Sequence, residues 1–159
     1  MKFRISFYLW FFLIFHSVSY CQPAVLNKVD FFTEAKPLSL VLSTNWDKVF
    51  SQKYKPGRIF SATLICKLPD SNLVNENIKL EVRGNFRRDN CHIPPLKLKF
   101  TETQTSILHP LKELKLVSPC KPTNDYEQFL LKEFVVYKLY NVLTDKSFRV
   151  RLLKIDFRD

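Results

Sequence analysis

Apolar and polar residues alternate with period two along several short stretches of the chain. In "RIFSATLICKL" (residues 58–68) Phe60, Ala62, Leu64 and Cys66 fall on one side. In "NIKLEVRG" (77–84) Ile78, Leu80 and Val82 alternate with Lys79, Glu81 and Arg83. In "LKLKF" (96–100) Leu96, Leu98 and Phe100 alternate with Lys97 and Lys99. This period belongs to strands with one dry and one wet face. "LSLVLST" (38–44) and, more weakly, "LKELKLVS" (111–118) read as further strands. Between the first two strands, "NWDKVFSQ" predicts a short helical turn around residues 46–50, capped by Asn45, and "YKPG" predicts a turn.

The period changes after residue 123. No Gly or Pro occurs in residues 124–145, where Phe129, Leu130, Phe134, Tyr137 and Asn141 follow helical spacing, as do Leu131, Val135, Leu139 and Val142. Thr123 or Asn124 can cap this helix, and Asp125 and Glu127 favour its positive end. The wide apolar arc predicts a helix packed against the sheet. "FRVRLLKIDFRD" (148–159) closes the chain. Val150 and Leu152 share one parity, while Leu153, Ile155 and Phe157 take the other, which predicts a bulge near Leu152 and Leu153. The expected class is α+β, with a mostly antiparallel sheet of about five strands and one long packed helix.

The first residues belong to a different class. Lys2 and Arg4 precede the apolar run "ISFYLWFFLIF", and "HSVSYCQ" follows with small residues. This is the order of a secretory signal, with Ser19 and Cys21 at the −3 and −1 positions of a cleavage before Gln22. Residues 1–21 then form the signal peptide, 22–37 a leader with little periodicity, and 38–159 one domain. The run is shorter than the roughly 20 residues needed to span a bilayer, so the expectation after cleavage is a protein that is not integral to a membrane. Its location would be secreted, periplasmic or in the cell envelope. Lipid attachment at Cys21 is the alternative, opposed by Tyr20 where such sites have a small residue.

Export changes how the charge is read. The formal charge is +10, and removing Lys2 and Arg4 with the leader leaves +8. Outside the cytosol this favours anionic lipids, glycans, acidic proteins or phosphate-bearing ligands over nucleic acid. A solvated basic surface is equally consistent with it. Cleavage also leaves three cysteines, Cys66, Cys91 and Cys120. No zinc-like spacing links them to each other or to histidine, so no metal site is expected. Cys91 ("CHIPP") and Cys120 ("SPCKP") lie in polar, proline-flanked connections, whereas Cys66 lies in an apolar strand pattern. The expected arrangement is a Cys91–Cys120 disulfide and a buried Cys66 thiol.

The chemistry concentrates in "EVRGNFRRDNCHIPPLKLKF" (81–100), which holds one of only two glycines. Gly84 permits a sharp turn after a strand. Arg83, Arg87 and Arg88 can then converge on an anion, which guanidinium groups bind in bidentate fashion. Lys97 and Lys99 would approach from the next strand. Alternatively, the stretch is a charged hairpin whose arginines pair with Glu81, Asp89 or Glu102. Arg58 opens a different strand and is expected to be remote from this turn.

"RGNFRRDNCHIPPLKLKF", "LKLVSPC" and "YEQFLLKEFVVYKLYNVLTDKSFRVRLLKIDF" together resemble a family of secreted bacterial proteins related to the spore-coat kinase CotH. That family has an atypical kinase-like fold, and the resemblance spans roughly residues 38–159. It implies that Arg83, Gly84 and Asn85 form a turn over a nucleotide site. It also implies that Lys97 or Lys99 meets phosphates, paired with Glu127 or Glu133 on the long helix, the favoured pair being Lys97 with Glu133. No catalytic residue is assigned. The metal-binding and catalytic acids of kinase-like folds come from a larger second lobe, and no HRD-like, DFG-like or GxGxxG stretch occurs here. ATP and a divalent metal would therefore enter only with that lobe. The expected function is the N-terminal lobe of a CotH-like protein, a fragment of a longer chain that is inactive alone. The alternative is an exported basic module that binds an anionic ligand or an envelope component.

Overall fold

The structure, a computed structural model, describes residues 28–55, 57–68, 73–100 and 108–159. The signal peptide and Cys21 lie outside the described residues. Six strands form one sheet in the order β5-β4-β3-β2-β1-β6. They are β1 (Leu38–Ser43), β2 (Ile59–Lys67), β3 (Leu73–Val82), β4 (Leu96–Phe100), β5 (Glu113–Leu116) and β6 (Leu153–Arg158). Every pairing is antiparallel except β1 with β6, which is parallel. The α+β class and the largely antiparallel sheet follow from the period-two stretches.

The alternating residues make the core. Phe60, Ala62, Leu64 and Cys66 of β2 are buried beside Ile78 and Leu80 of β3 and Leu96, Leu98 and Phe100 of β4. Between β1 and β2, α2 (Trp46–Ser51) begins where expected, with the Asn45 side chain accepting from the Lys48 backbone N–H at 2.7 Å. Trp46 and Val49 of this helix enter the core. The Trp46 indole N–H donates to the Arg158 carbonyl at 2.9 Å, and its ring meets Phe157 edge-on at 5.1 Å. These contacts fasten α2 to the end of β6.

Four features were absent from the pattern or differ from it. Residues read as leader contain α1 (Lys28–Thr33), whose Phe31 joins the core under the Arg151 guanidinium, 5.1 Å from the ring centroid. The connection after β3 contains α3 (Phe86–Asn90). No bulge divides the last strand, because β6 starts at Leu153, where the parity changes.

The fourth difference concerns α4 (Asn124–Leu143), which spans the predicted helix but has no buried residue. Leu130, Phe134, Tyr137 and Asn141 are half-buried, whereas Val135, Leu139 and Val142 stand in solvent. The exposures reach 84% at Val142 and 79% at Leu143. The expected cover by the sheet is missing because the apolar positions run round most of the helix, and only one side meets the body. Among the described residues, no helix is long and apolar enough to cross a membrane.

Cys91 and Cys120 are bridged and Cys66 is a buried free thiol, as their surroundings implied. Burial, with Glu76 adding to the effect and Arg151 opposing it, pushes the Cys66 thiol up to about 11 from an exposed value of 9.0. The folded state therefore binds this proton more tightly than the unfolded state. The associated stability is complete below pH 9.0, declines as pH rises and is lost above about 11. Urea melts at pH 8.5 and 10.5 should show a decline steeper in the wild type than in Cys66→Ala, by roughly 1–2 kcal/mol. Equal slopes in the two proteins would contradict this assignment.

Candidate functional site: a basic end of the sheet

The sheet register gathers the candidate residues at one end. Ile59 pairs with Glu81, Val82 with Leu96, Leu96 with Leu116, and Ser43 with Arg158. The connection from β1 to β2, the 83–95 connection and the segment after β5 therefore leave the sheet side by side. Both glycines lie in these connections, and both have positive φ, 69° at Gly57 and 76° at Gly84. The β2–β3 ladder ends at Ile59 with Glu81, two residues from each of Gly57 and Arg83. A residue with a Cβ is strained at such torsions.

The three arginines of the turn do not converge on one point. Arg87 donates from Nη2 to the Ser118 carbonyl at 3.0 Å, and Ser118 Oγ donates to the Ile93 carbonyl at 3.1 Å. With the neighbouring disulfide and the His92 N–H to Cys120 carbonyl bond at 2.8 Å, Arg87 ties two connections together. Arg88 pairs with Asp89 at 2.8 Å and sits 6.0 Å from the centroid of Tyr54. The backbone N–H of Arg83 donates to the Pro95 carbonyl at 2.9 Å. Among the described residues, no ion pair engages the Arg83 guanidinium. Asn85 stands at the start of α3 without capping it through its side chain.

Lys97 and Lys99 lie on the wet face, in a quartet of charges. Lys97 stands directly opposite Glu81 and Lys115, and Lys99 opposite Lys79 and Glu113, yet the short contacts are the diagonals. Lys99 Nζ is 2.6 Å from Glu81 Oε2, and Lys97 Nζ is 3.8 Å from Glu113 Oε2. The hydrogen bond from Lys99, then the charges of Lys99 and Lys97, hold the Glu81 carboxyl below its ordinary value against the opposing effect of burial. Glu133 is exposed on α4. The favoured Lys97–Glu133 pair is not formed: Lys97 is engaged with Glu113 instead.

Sequence reasoning missed the other half of the basic end. An open cleft of about 540 Å³ is lined by Thr44, Asn45, Lys48, Gly57, Arg58, Ile59, Phe60 and Ser61. Among the described residues, neither Lys48 nor Arg58 enters an ion pair. Arg58 is thus not remote from the arginine turn: antiparallel pairing brings the start of β2 beside the end of β3. The signal was available in "KPGR", the chain's other glycine followed by an arginine. Tyr54, with Lys53 Nζ 5.2 Å from its ring centroid, bridges the two halves through its contact with Arg88. Chemically, this end can attract and hydrogen-bond an anion through Arg83, Arg58 and Lys48.

No known protein family, curated protein or solved structure matches the chain.

An added Cβ at Gly84 would meet nothing within 4 Å, so any cost of substitution there is torsional. Gly84→Val should lower stability by about 1–2 kcal/mol, while Gly84→Asn, which tolerates positive φ, should cost much less. Thermal melts of the two variants separate these outcomes, and equal losses would place the constraint elsewhere.

Proposed function

We propose that this chain is the N-terminal, sheet-bearing lobe of an exported CotH-like protein with a kinase-like fold, inactive without its second lobe. The observation that carries this reading is α4. A helix apolar round most of its circumference belongs in the interior of a larger body. Here such a helix, twenty residues long, has no buried residue, and Phe129, Val136, Leu139 and Leu143 face outward with more than half their surface uncovered. A second lobe resting on that face would bury it. In this reading a divalent metal and the nucleotide chemistry it supports would enter with the other lobe. The Cys91–Cys120 disulfide fits an oxidising, extracytoplasmic location.

A second reading, an exported module that holds an anionic ligand, is favoured by the basic sheet end. Among the described residues, Arg83, Arg58 and Lys48 enter no ion pair there, and Lys48 and Arg58 line an open cleft.

Three experiments test these readings. In hydrogen exchange of the isolated chain, α4 amides should exchange far sooner than those of β3, and the chain should transfer no phosphate from Mg-ATP. An α4 as protected as β3 would remove the support for a docking lobe, and turnover by the chain alone would overturn the claim of inactivity. Calorimetric titration with pyrophosphate should give weak binding that fades with salt, since exposed charges are screened over about 10 Å at 0.1 M. Arg83→Ala and Arg58→Ala should each reduce it several-fold, whereas Lys67→Ala, at the opposite end of β2, should leave it unchanged. Equal effects from all three would reduce the site to general surface charge.

A further inference from the structure

The order of the sheet leaves β6 at an edge, with β1 as its only strand neighbour among the described residues. The Leu38 N–H donates to the Leu152 carbonyl at 3.1 Å, and the Thr44 N–H to the Arg158 carbonyl at 3.0 Å. In a parallel ladder, alternate residues turn both backbone groups toward the same neighbour. Residues 152, 154, 156 and 158 therefore face β1. Leu153, Ile155 and Phe157 direct their N–H and C=O groups outward, where an unpaired edge is a template for another strand.

We propose that this edge is a self-association surface, on which a second copy of the chain adds its own β6 antiparallel, joining two six-stranded sheets into one. The side chains fit that occupant. With the two-fold axis on Ile155, Ile155 pairs with Ile155 of the second copy, and Leu153 pairs with Phe157 of the second copy. All of these are positions whose backbone groups point outward. Between them, Lys154 pairs with Asp156 of the second copy, at the non-hydrogen-bonded position where opposed side chains come closest. Symmetry repeats each unlike pair. Centring the axis on Asp156 would also pair outward backbone groups, Ile155 with Phe157 of the second copy, but it would oppose Asp156 to itself and Lys154 to a second Arg158, so the charges select the axis on Ile155. Axes on Leu153 or Phe157 would use only part of the strand.

The apolar side of the strand supports the same partner. Leu153, Ile155 and Phe157 pack against the core cluster yet remain half-buried. Continuing the sheet sets the same three side chains of the second copy beside them. On the wet side, edges that repel other strands carry charges of one sign, prolines or bulges. β6 has neither proline nor bulge, and it sets Asp156 between Lys154 and Arg158, an order that is its own complement in antiparallel. Asp156 is already held by Arg158 at 2.6 Å, which presents its carboxylate on that face. The opposite edge, β5, has only four residues and is the poorer template.

The proposal stands independently of the lobe reading, because it uses an edge and not α4. Its test is sedimentation equilibrium on the purified protein over the micromolar range. A concentration-dependent dimer is expected. Asp156→Lys, which sets like charges opposite each other, should weaken it about tenfold or more. Adding Lys154→Asp to that variant restores unlike pairs with the signs exchanged, and should restore the dimer. Ile155→Pro removes an outward N–H, at a place where an edge strand accepts proline, and should give a monomer with an unchanged circular dichroism spectrum. If that variant does not fold, the charge exchange alone decides. A monomer at every concentration overturns the proposal, as does failure of the exchange to restore association. A dimer abolished by Leu139→Glu on α4 but indifferent to the β6 variants would also overturn it, assigning association to the helix.

Discussion

Nine residue pairs join β2 to β3, from Ile59 with Glu81 to Lys67 with Leu73, and the rest of the structure is arranged around this ladder. A period of two allows no partial slip: one residue of shift would turn Phe60, Ala62, Leu64 and Cys66 to water and bring Ser61, Thr63 and Lys67 inward. The burial of that face therefore fixes the register. The register in turn decides which connections meet. It brings the turn with Gly57 against the turn with Gly84, so that cations distant in sequence share one end of the sheet. The basic cleft is in this sense a consequence of core packing: no local motif specifies it.

What the sequence made legible follows from the range of each interaction. Strand alternation, the Asn45 cap and the start of α4 depend on residues a few positions apart, and all three were readable. The disulfide was readable for a different reason. Polar, proline-flanked surroundings and an apolar strand are local facts that already separate Cys91 and Cys120 from Cys66. Failures came where the deciding partner was distant. Arg58 was read as remote because only the antiparallel pairing places it beside Arg83. Lys97 was matched with Glu133 because nothing local reveals that Glu113 stands diagonally across on β5. The placement of α4 was misread because an apolar helix shows that it will be covered, but not by what.

The same distinction separates the arginines of the turn. Arg87 has a buried task, holding the Ser118 carbonyl where the disulfide also ties the chain. A group committed to a carbonyl at 3.0 Å is poorly available to a ligand, since an anion would have to replace that contact. Arg88 is balanced by Asp89. Of the three, Arg83 alone has neither an ion pair nor a side-chain hydrogen bond among the described residues, and it is the one beside Gly84. Of the residues that the sequence offered either to an anion site or to a charged hairpin, Arg87 and Arg88 hold the connection together, while Arg83 has no such side-chain partner among the described residues. The lysines of β4 fall on the stabilising side, because the diagonal contacts to Glu81 and Glu113 offset the repulsion of Lys97 from Lys115 and of Lys99 from Lys79, which the register sets directly opposite.

The fold completes its core at the sheet and leaves two kinds of surface incomplete, and they call for different partners. On α4 the deficit is apolar area without direction: side chains such as Val142 and Leu143 gain by any dry cover, and shape decides among candidates. On β6 the deficit is directional, since backbone groups at Leu153, Ile155 and Phe157 accept only a strand in matching register, and the charges on its wet face narrow the choice further. A partner for the helix need only bring an apolar surface of fitting shape, whereas a partner for the edge must be a strand of the right sequence. This chain supplies such a strand itself. The two surfaces can consequently be occupied together, one by a lobe and one by a copy, without competing for the same atoms.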